Sequence, residues 1–359
     1  MQAFRPALRD SVLVLDGEAD QIQFVVTSSS TSTTFAVDDM TRRLIPLLDG
    51  SRTVRELEAE VRDAASYTPA HLGDVLGVLD AEALLAVRPP AEPALAPHER
   101  ERYARQLGLL EELAREDGRA EAGEALQARL RAATVAVIGT GGLGTWLLAS
   151  LAAAGVGRLI VCDFDRVELS NLNRQVLFGS ADVGTSKTTA AAARLAAIDP
   201  AVAVETRELE VTGDGDVAPL AEAADLVINC ADRPTVRQTS DWVAAACLPR
   251  RVPHIVGGAY AYHVGSLGLT VIPGRTACWQ CARDGAGPLR DVVLRGRQGP
   301  GPSLAMFSAV VANLLAWDAT RVLLGLPPAT AGRLGEIDFR TFAIRWRDVP
   351  PPARLPRLL

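Results

Sequence analysis

Lysine is almost missing from this 359-residue chain: of 37 basic residues only Lys187 is a lysine, which leaves 36 arginines. A sequence so biased uses arginine for ordinary surface charge. A lone lysine then either marks a place that needs a compact ammonium or survives by chance on a helix surface. Cysteine is scarce as well. Five in a chain of this length do not suggest a disulfide framework, and the odd count agrees with a reducing compartment. Long uncharged apolar runs are lacking, which leaves nothing to span a bilayer, and the opening MQAFRPALRD has no secretory apolar stretch. These absences set the expectation of a cytoplasmic protein with no membrane partner. Positive charge is not in excess either: a net charge of −6 and a pI near 5.4 argue against nucleic acid as a partner. What is present is 48% hydrophobic residues, enough for real cores, in a length that suits two domains of roughly 150 residues each.

The glycine-rich stretch lies in the middle. A β-branched run, Thr134 to Ile138, leads into Gly139-Thr140-Gly141-Gly142-Leu143-Gly144, and an apolar helical stretch follows from Trp146 to Ala154. A second strand, Arg158 to Val161, runs towards Asp163, 24 residues after Gly139. This is a strand–loop–helix–strand nucleotide fingerprint in its required context. Gly139, Gly141, Gly142 and Gly144 allow the tight turn and let phosphate approach the amides of a helix N-terminus. Asp163 is placed to accept hydrogen bonds from ribose hydroxyls. Further candidate strands at 202–206, 225–230 and 253–256 alternate with helices at 186–198 and 235–247, the rhythm of a doubly wound sheet.

Polar and basic groups crowd the segment after the second strand. Arg174 offers a fork of donors for phosphate oxygens and Lys187 a point charge. Ala231-Asp232 ends another strand, where a carboxylate can hold Mg²⁺ through oxygen ligands, and Arg237 follows about one and a half helical turns on. A nicotinamide dehydrogenase would explain the glycines and Asp163 but would leave Arg174, Lys187 and Asp232 idle.

Upstream, 11–27 reads as a hairpin around Asp16-Gly17. A polar tract, Ser28 to Thr34, follows, then helical patterns over Asp38–Leu48, Thr53–Ala64 and Pro69–Leu79, with Thr53 as an N-cap. Residues 84–88 read as a short closing strand, and 89–97 as a Pro-rich linker. One charged helix is expected from His98 up to the central strand.

The set Arg102-Tyr103-Ala104-Arg105-Gln106, the glycine loop, DFD at 163–165, NLNRQ at 171–175, DVGTSK at 182–187 and Ala231-Asp232 resembles the ubiquitin-activating-type ThiF/MoeB/HesA adenylyltransferase superfamily. RVPHIVGGAYAYHVGSLGLTVIPGRTACWQC is most similar to the microcin C-type peptide adenylyltransferases, the MccB group. FAVDDMTRRLIPLLDGSRTVRELEAEV resembles the PqqD-like recognition element of ribosomal-peptide biosynthesis. The resemblance implies an α/β fold, with a Rossmann-like doubly wound adenylation domain at 134–359. A winged-helix-like α+β peptide-recognition domain would occupy 1–90, with linker and lead-in helices at 91–133.

It further implies ATP and Mg²⁺, with Asn171, Arg174, Gln175 and Lys187 at the nucleotide, Asp163 on the ribose, Asp232 on magnesium and Arg237 nearby. A homodimer is implied, in which Arg105 enters the partner's site, and so is a precursor or leader peptide docked on the N-terminal domain. Activation of a sulfur-carrier protein and non-catalytic peptide presentation are the rivals. The superfamily's structural zinc takes two Cys pairs; here Cys278-Trp279-Gln280-Cys281 supplies one and the tail none, so zinc is doubtful. Residues 282–346 contain no cysteine, which favours direct use of an acyl adenylate over thioester or persulfide transfer. In the same region, 282–303 reads as a basic loop, and Cys162, Cys230 and Cys247 as buried apolar residues.

Overall fold

Two units, residues 1–128 and 129–359, make up the chain in a computed structural model that describes residues 4–17, 20–87, 94–284 and 302–350. The first unit opens with β1 (Val12–Asp16), β2 (Gln21–Val26) and β3 (Thr31–Ala36), an antiparallel meander in sequence order. The hairpin is as expected, but the third strand comes from the polar tract TSTTFA. Of the expected strand at 84–88, residues 84–87 are described and contribute a single bridge, Leu85 to Leu8. Helices α1 (Asp39–Leu44), α2 (Val54–Val61) and α3 (Pro69–Ala81) bury Met40, Leu44, Leu57, Leu72 and Leu79 with Phe24 of the sheet. Thr53 caps α2 as expected: its Oγ1 accepts from the Glu56 amide at 3.2 Å, and the Glu56 carboxylate accepts from Thr53 N at 2.7 Å.

The charged stretch from His98 forms two helices, α4 (Pro97–Glu116) and α5 (Gly123–Ala132). Gly118, at φ +75°, ends the first, a conformation that glycine adopts without strain. A buried pair joins α4 to the N-terminal strand region: Arg9 Nε donates to Glu112 Oε1 at 2.7 Å.

The second unit is a mixed eight-stranded sheet. Its parallel part comprises β4 (Thr134–Ile138), β5 (Arg158–Cys162), β6 (Ala203–Arg207), β7 (Leu226–Asn229) and the start of β8 (His254–Ala261). Antiparallel β9 (Val264–Val271), β10 (Arg333–Asp338) and β11 (Ala343–Asp348) extend it, in the order β11-β10-β9-β8-β7-β4-β5-β6. Sequence order reverses between β4 and β7, which is where open α/β sheets bind ligands, beyond the carboxyl ends of the strands.

Helices α6 (Gly142–Ala153), α7 (Lys187–Ile198), α8 (Asp214–Ala223), α9 (Val236–Cys247) and α10 (Trp279–Asp284) complete the unit with α11 (Ala305–Leu324). Helix α6 is apolar nearly all round because it lies between the sheet and α11. Its Leu147, Leu148 and Leu151 are fully buried, each stabilising the fold by roughly 1.5–3 kcal/mol. Contrary to the sequence expectation, α11 is long and apolar enough to cross a bilayer by length and composition. Here it serves as core: Val311, Ala312, Leu315 and Ala319 are buried. Its buried Asp318 accepts from Ala329 N at 2.7 Å and from Thr330 N at 2.8 Å.

His254 opens β8 fully buried. Its Nδ1 donates to the Val252 carbonyl at 3.0 Å, and Nε2 has no partner among the described residues. Burial pushes its pKa down from 6.5 to about 4. The neutral ring is therefore part of the native state, whereas the unfolded chain takes up a proton below pH 6.5. Stability should be full above pH 6.5 and fall as the pH drops towards 4, by roughly 3 kcal/mol in all. Urea unfolding at pH 7.5 and at 4.5 measures this, and His254→Gln should flatten the difference.

Candidate functional site

At the reversal point the last residues of three strands lie side by side. Ile138 pairs with Cys162 on one side and Asn229 on the other, so the chain leaves β4 at Gly139, β5 at Asp163 and β7 at Cys230 together. The glycines divide the work. Gly139 has φ +93°, and a Cβ there would meet Ala231 N at 2.8 Å. A Cβ on Gly144 would lie 1.9 Å from the Gly139 carbonyl oxygen. These two let helix and strand ends approach. Gly141, with nothing within 4 Å of a Cβ position, instead leaves space over the start of α6. Gly142 faces Tyr260 Oη, 2.4 Å from where its Cβ would be.

A cavity of about 780 Å³ opens over these strand ends. Gly139, Gly141, Gly142, Asp163, Asn171, Arg174, Gln175, Lys187 and Asp232 all line it, so most of the expected site residues meet in one place. Asp163 is buried and holds the loop: Oδ2 accepts from Thr140 N at 2.6 Å and from Thr140 Oγ1 at 2.8 Å, and Oδ1 from Asp165 N at 2.8 Å. Asn171 braces the turn before α7, its Oδ1 accepting from Glu168 N at 3.0 Å. Arg174 donates to the Ser170 carbonyl at 2.7 Å, and its own carbonyl accepts from Trp146 of α6 at 3.0 Å.

Gln175 is 3% exposed, and its Oε1 lacks a partner among the described residues. A buried acceptor left open on a cavity wall costs stability unless a ligand donor meets it. That vacancy, with the N-terminal amides of α6 and the lysine, suits a phosphorylated ligand that also carries hydrogen-bond donors, which is the chemistry of a nucleotide.

Lys187 starts α7. Its ammonium is 2.8 Å from Asp165 Oδ2, and the side chain is only 7% exposed. This separates it from a chance surface lysine: a short, buried ammonium sits where a broader guanidinium would need more room. Asp232 is exposed at the end of β7, on a turn fixed from below. There Asn229 accepts from Ala231 N at 3.2 Å and donates to Thr239 Oγ1 at 2.9 Å, and Thr239 Oγ1 donates to the Ala231 carbonyl at 2.9 Å. Magnesium needs only one or two carboxylates beside phosphate and water, a demand that Asp232 fits.

Arg237 is not among the residues that line the cavity, although Val236 before it is. Cys278 and Cys281 lie with their sulfurs 2.9 Å apart, and no group of three or more metal-binding side chains occurs among the described residues. Two thiols do not fit structural zinc, which takes four ligands. Arg105 is exposed on α4 of the first unit. Arg283, from the expected basic loop, pairs with Asp241 at 2.6 Å, and residues 285–301 of that loop lie outside the described residues. Burial pushes Cys162, Cys230 and Cys247 up to about 12, which keeps them as inert thiols.

Sequence reasoning missed several groups. Asp165 was visible within DFD, but no spacing marks it as the lysine's partner. A line of hydroxyls, Ser303 to Tyr260 at 2.7 Å and Ser308 to Tyr260 at 2.8 Å, joins residues 43 and 48 positions apart that no local pattern connects.

A model of the ThiF family matches residues 103–357. The sulfur carrier protein adenylyltransferase of Thermus thermophilus is 34% identical over 256 residues, covering 69% of this chain and 88% of that protein. The Escherichia coli sulfur carrier protein ThiS adenylyltransferase is 32% identical over 249 residues, covering 69% and 90%. Among solved structures, PaaA matches with a TM-score of 0.77 at 21% identity over 95% of this chain and 99% of its own. E. coli MccB, solved with ATP, matches at 0.75 and 19% identity over 98% of each chain. MccB, a microcin C7 biosynthetic enzyme, was also solved in complex with N-formylated MccA. At these identities the solved structures speak for the shared fold.

The two kinds of loop glycine should part company on mutation. Gly144→Ala forces a methyl into the Gly139 carbonyl and should cost at least about 3 kcal/mol of stability or prevent folding. Gly141→Ala meets open space and should unfold within about 0.5 kcal/mol of wild type. Denaturant unfolding of both variants measures the contrast.

Proposed function

This chain belongs to the ThiF family and is an ATP-dependent adenylyltransferase, and on that premise we propose that it activates the C-terminal carboxylate of a ribosomally made precursor peptide as peptidyl-AMP. The observation that carries the reading is the cavity in which the α6 N-terminus, the open Gly141 face and the buried Lys187 ammonium converge. A flat nicotinamide has no use for that concentration of phosphate-binding groups.

In the proposed reaction a carboxylate oxygen of the peptide forms a bond to the α-phosphorus while the bond from that phosphorus to the β-bridging oxygen breaks. Pyrophosphate leaves and the acyl adenylate remains. An ionised carboxylate needs no general base, so the protein's task is positioning and charge stabilisation. Gly141 and the first amides of α6 hold phosphate oxygens, Lys187 and Arg174 neutralise charge, and Asp163 and Gln175 take the nucleoside's donors. Asp232 would hold Mg²⁺, which neutralises phosphate charge when bound. Arg105 would be supplied by the partner copy of a homodimer.

The peptide is assigned to the first unit. Support comes from its three-stranded antiparallel sheet, whose outer strands can take an added strand through backbone hydrogen bonds, and from the MccA complexes of a structural neighbour. Acidic Asp38, Asp39, Glu56, Glu58 and Glu60 speak against DNA as its ligand. A second reading, activation of a small sulfur-carrier protein, is favoured by the two sulfur-carrier relatives. Against it stands the lack of any cysteine between residues 282 and 346.

Exchange of radiolabelled pyrophosphate into ATP separates these readings. Exchange should depend on a precursor peptide encoded beside the gene, and Lys187→Ala should lower it at least about 100-fold while peptide capture persists. Exchange driven by a carrier protein alone would establish the second reading. Capture of peptide with no exchange would leave a presenter in place of an enzyme for that peptide.

A further inference from the structure

Arg233 entered neither the sequence reading nor the mechanism above, yet it stands on the wall of the same cavity, directly after Asp232. Its Nη1 lies 3.2 Å from Asp165 Oδ1, while Lys187 holds the other oxygen of that carboxylate at 2.8 Å. One carboxylate therefore serves two cations on the cavity wall. The two cations differ in freedom. The lysine side chain is 7% exposed and fixed; the Arg233 side chain is 65% exposed, and its guanidinium sits 5.8 Å over the exposed ring of Phe164. An ion pair so open to water is weakly held, whereas a guanidinium fork on phosphate oxygens makes two parallel charge-assisted bonds.

We propose that Arg233 is a binding residue for the leaving group: it releases Asp165 and binds the β- and γ-phosphates that depart as pyrophosphate. This rests on the adenylation reading. Groups that hold the α-phosphate, which is retained in the product, must be rigid; the Gly141 loop and Lys187 meet that need. The β- and γ-phosphates leave, so their holder has to let go, and Arg233 is the exposed, weakly held cation on the cavity wall. When Arg233 leaves, Asp165 keeps Lys187 as its partner, so its carboxylate is not left unpaired.

Calorimetric titration of the full chain with ATP·Mg, AMP and pyrophosphate tests the assignment. Arg233→Gln should weaken ATP and pyrophosphate about tenfold, or 1.4 kcal/mol, and leave AMP within about twofold of wild type. Arg233→Lys should fall between, since it returns the charge without the fork. The thermal midpoint should not move, because Arg233 is exposed. Equal weakening of ATP and AMP would overturn the proposal, showing that Arg233 only shapes the cavity, and unaltered ATP binding would overturn it outright. A wild-type protein that binds neither ATP nor AMP would bring down the adenylation reading first; a variant that fails to discriminate brings down only the role of Arg233.

Discussion

A helix can begin directly over the end of a strand only where nothing projects between them, and the second unit depends on that backbone-to-backbone contact. At Gly144 the separation leaves no room for a methyl group beside the Gly139 carbonyl, and at Gly139 none beside the turn that follows β7. These two approaches bring β4, α6 and β7 to one point. They set where the α6 amides open and where Asp232 stands. Apolar burial of α6 against α11 then locks the arrangement from behind.

Charge is organised around the same point by two aspartates with different tasks. Asp163 accepts from Thr140 and Asp165, which fixes the loop while its Oδ1 keeps a lone pair for a ligand donor. Asp165 holds the lone lysine of the chain in a nearly dry position. The rigid part of the cavity is thus built from buried, mutually satisfied groups, with the open Gln175 oxygen as its unmet acceptor among the described residues. Its outer wall carries the exposed groups, Asp232 and Arg233.

Much of this arrangement was legible in the residues because the relevant signals are local. Thr134–Ile138, the glycines and the apolar helix after them specify strand, turn and helix within some 20 positions, and β5 and β7 are equally plain β-branched runs. What escaped had conflicting local chemistry or none. Strand β3 is a polar TSTTFA tract whose pairing with β2, over its full length, is a tertiary choice. Helix α8 carries Pro219 in its interior and a glycine at its cap, signals that read as loop. Strand β10 pairs with its hairpin neighbour β11 but also with β9, some 70 positions upstream. Arg237 was placed by counting helical turns from Asp232, but α9 begins only at Val236 and the phase is lost in the intervening turn. The Asp165 pair and the Tyr260 hydroxyl line depend on contacts between distant segments, which periodicity cannot reveal.

The abundance of arginine has a consequence at the rims of the large sheet. Strand β11 pairs only with β10, and β6 only with β5, among the described residues. Unpaired strand edges invite another chain to add on unless charge or twist discourages it. Here β11 exposes Arg345 and Arg347, and β6 ends in Arg207, paired with Glu205 beside Arg158 of its neighbour. A second copy approaching either rim meets guanidinium groups that it would have to strip of water. In a chain whose single lysine is held in a nearly dry position, arginine supplies the positive charge at both rims.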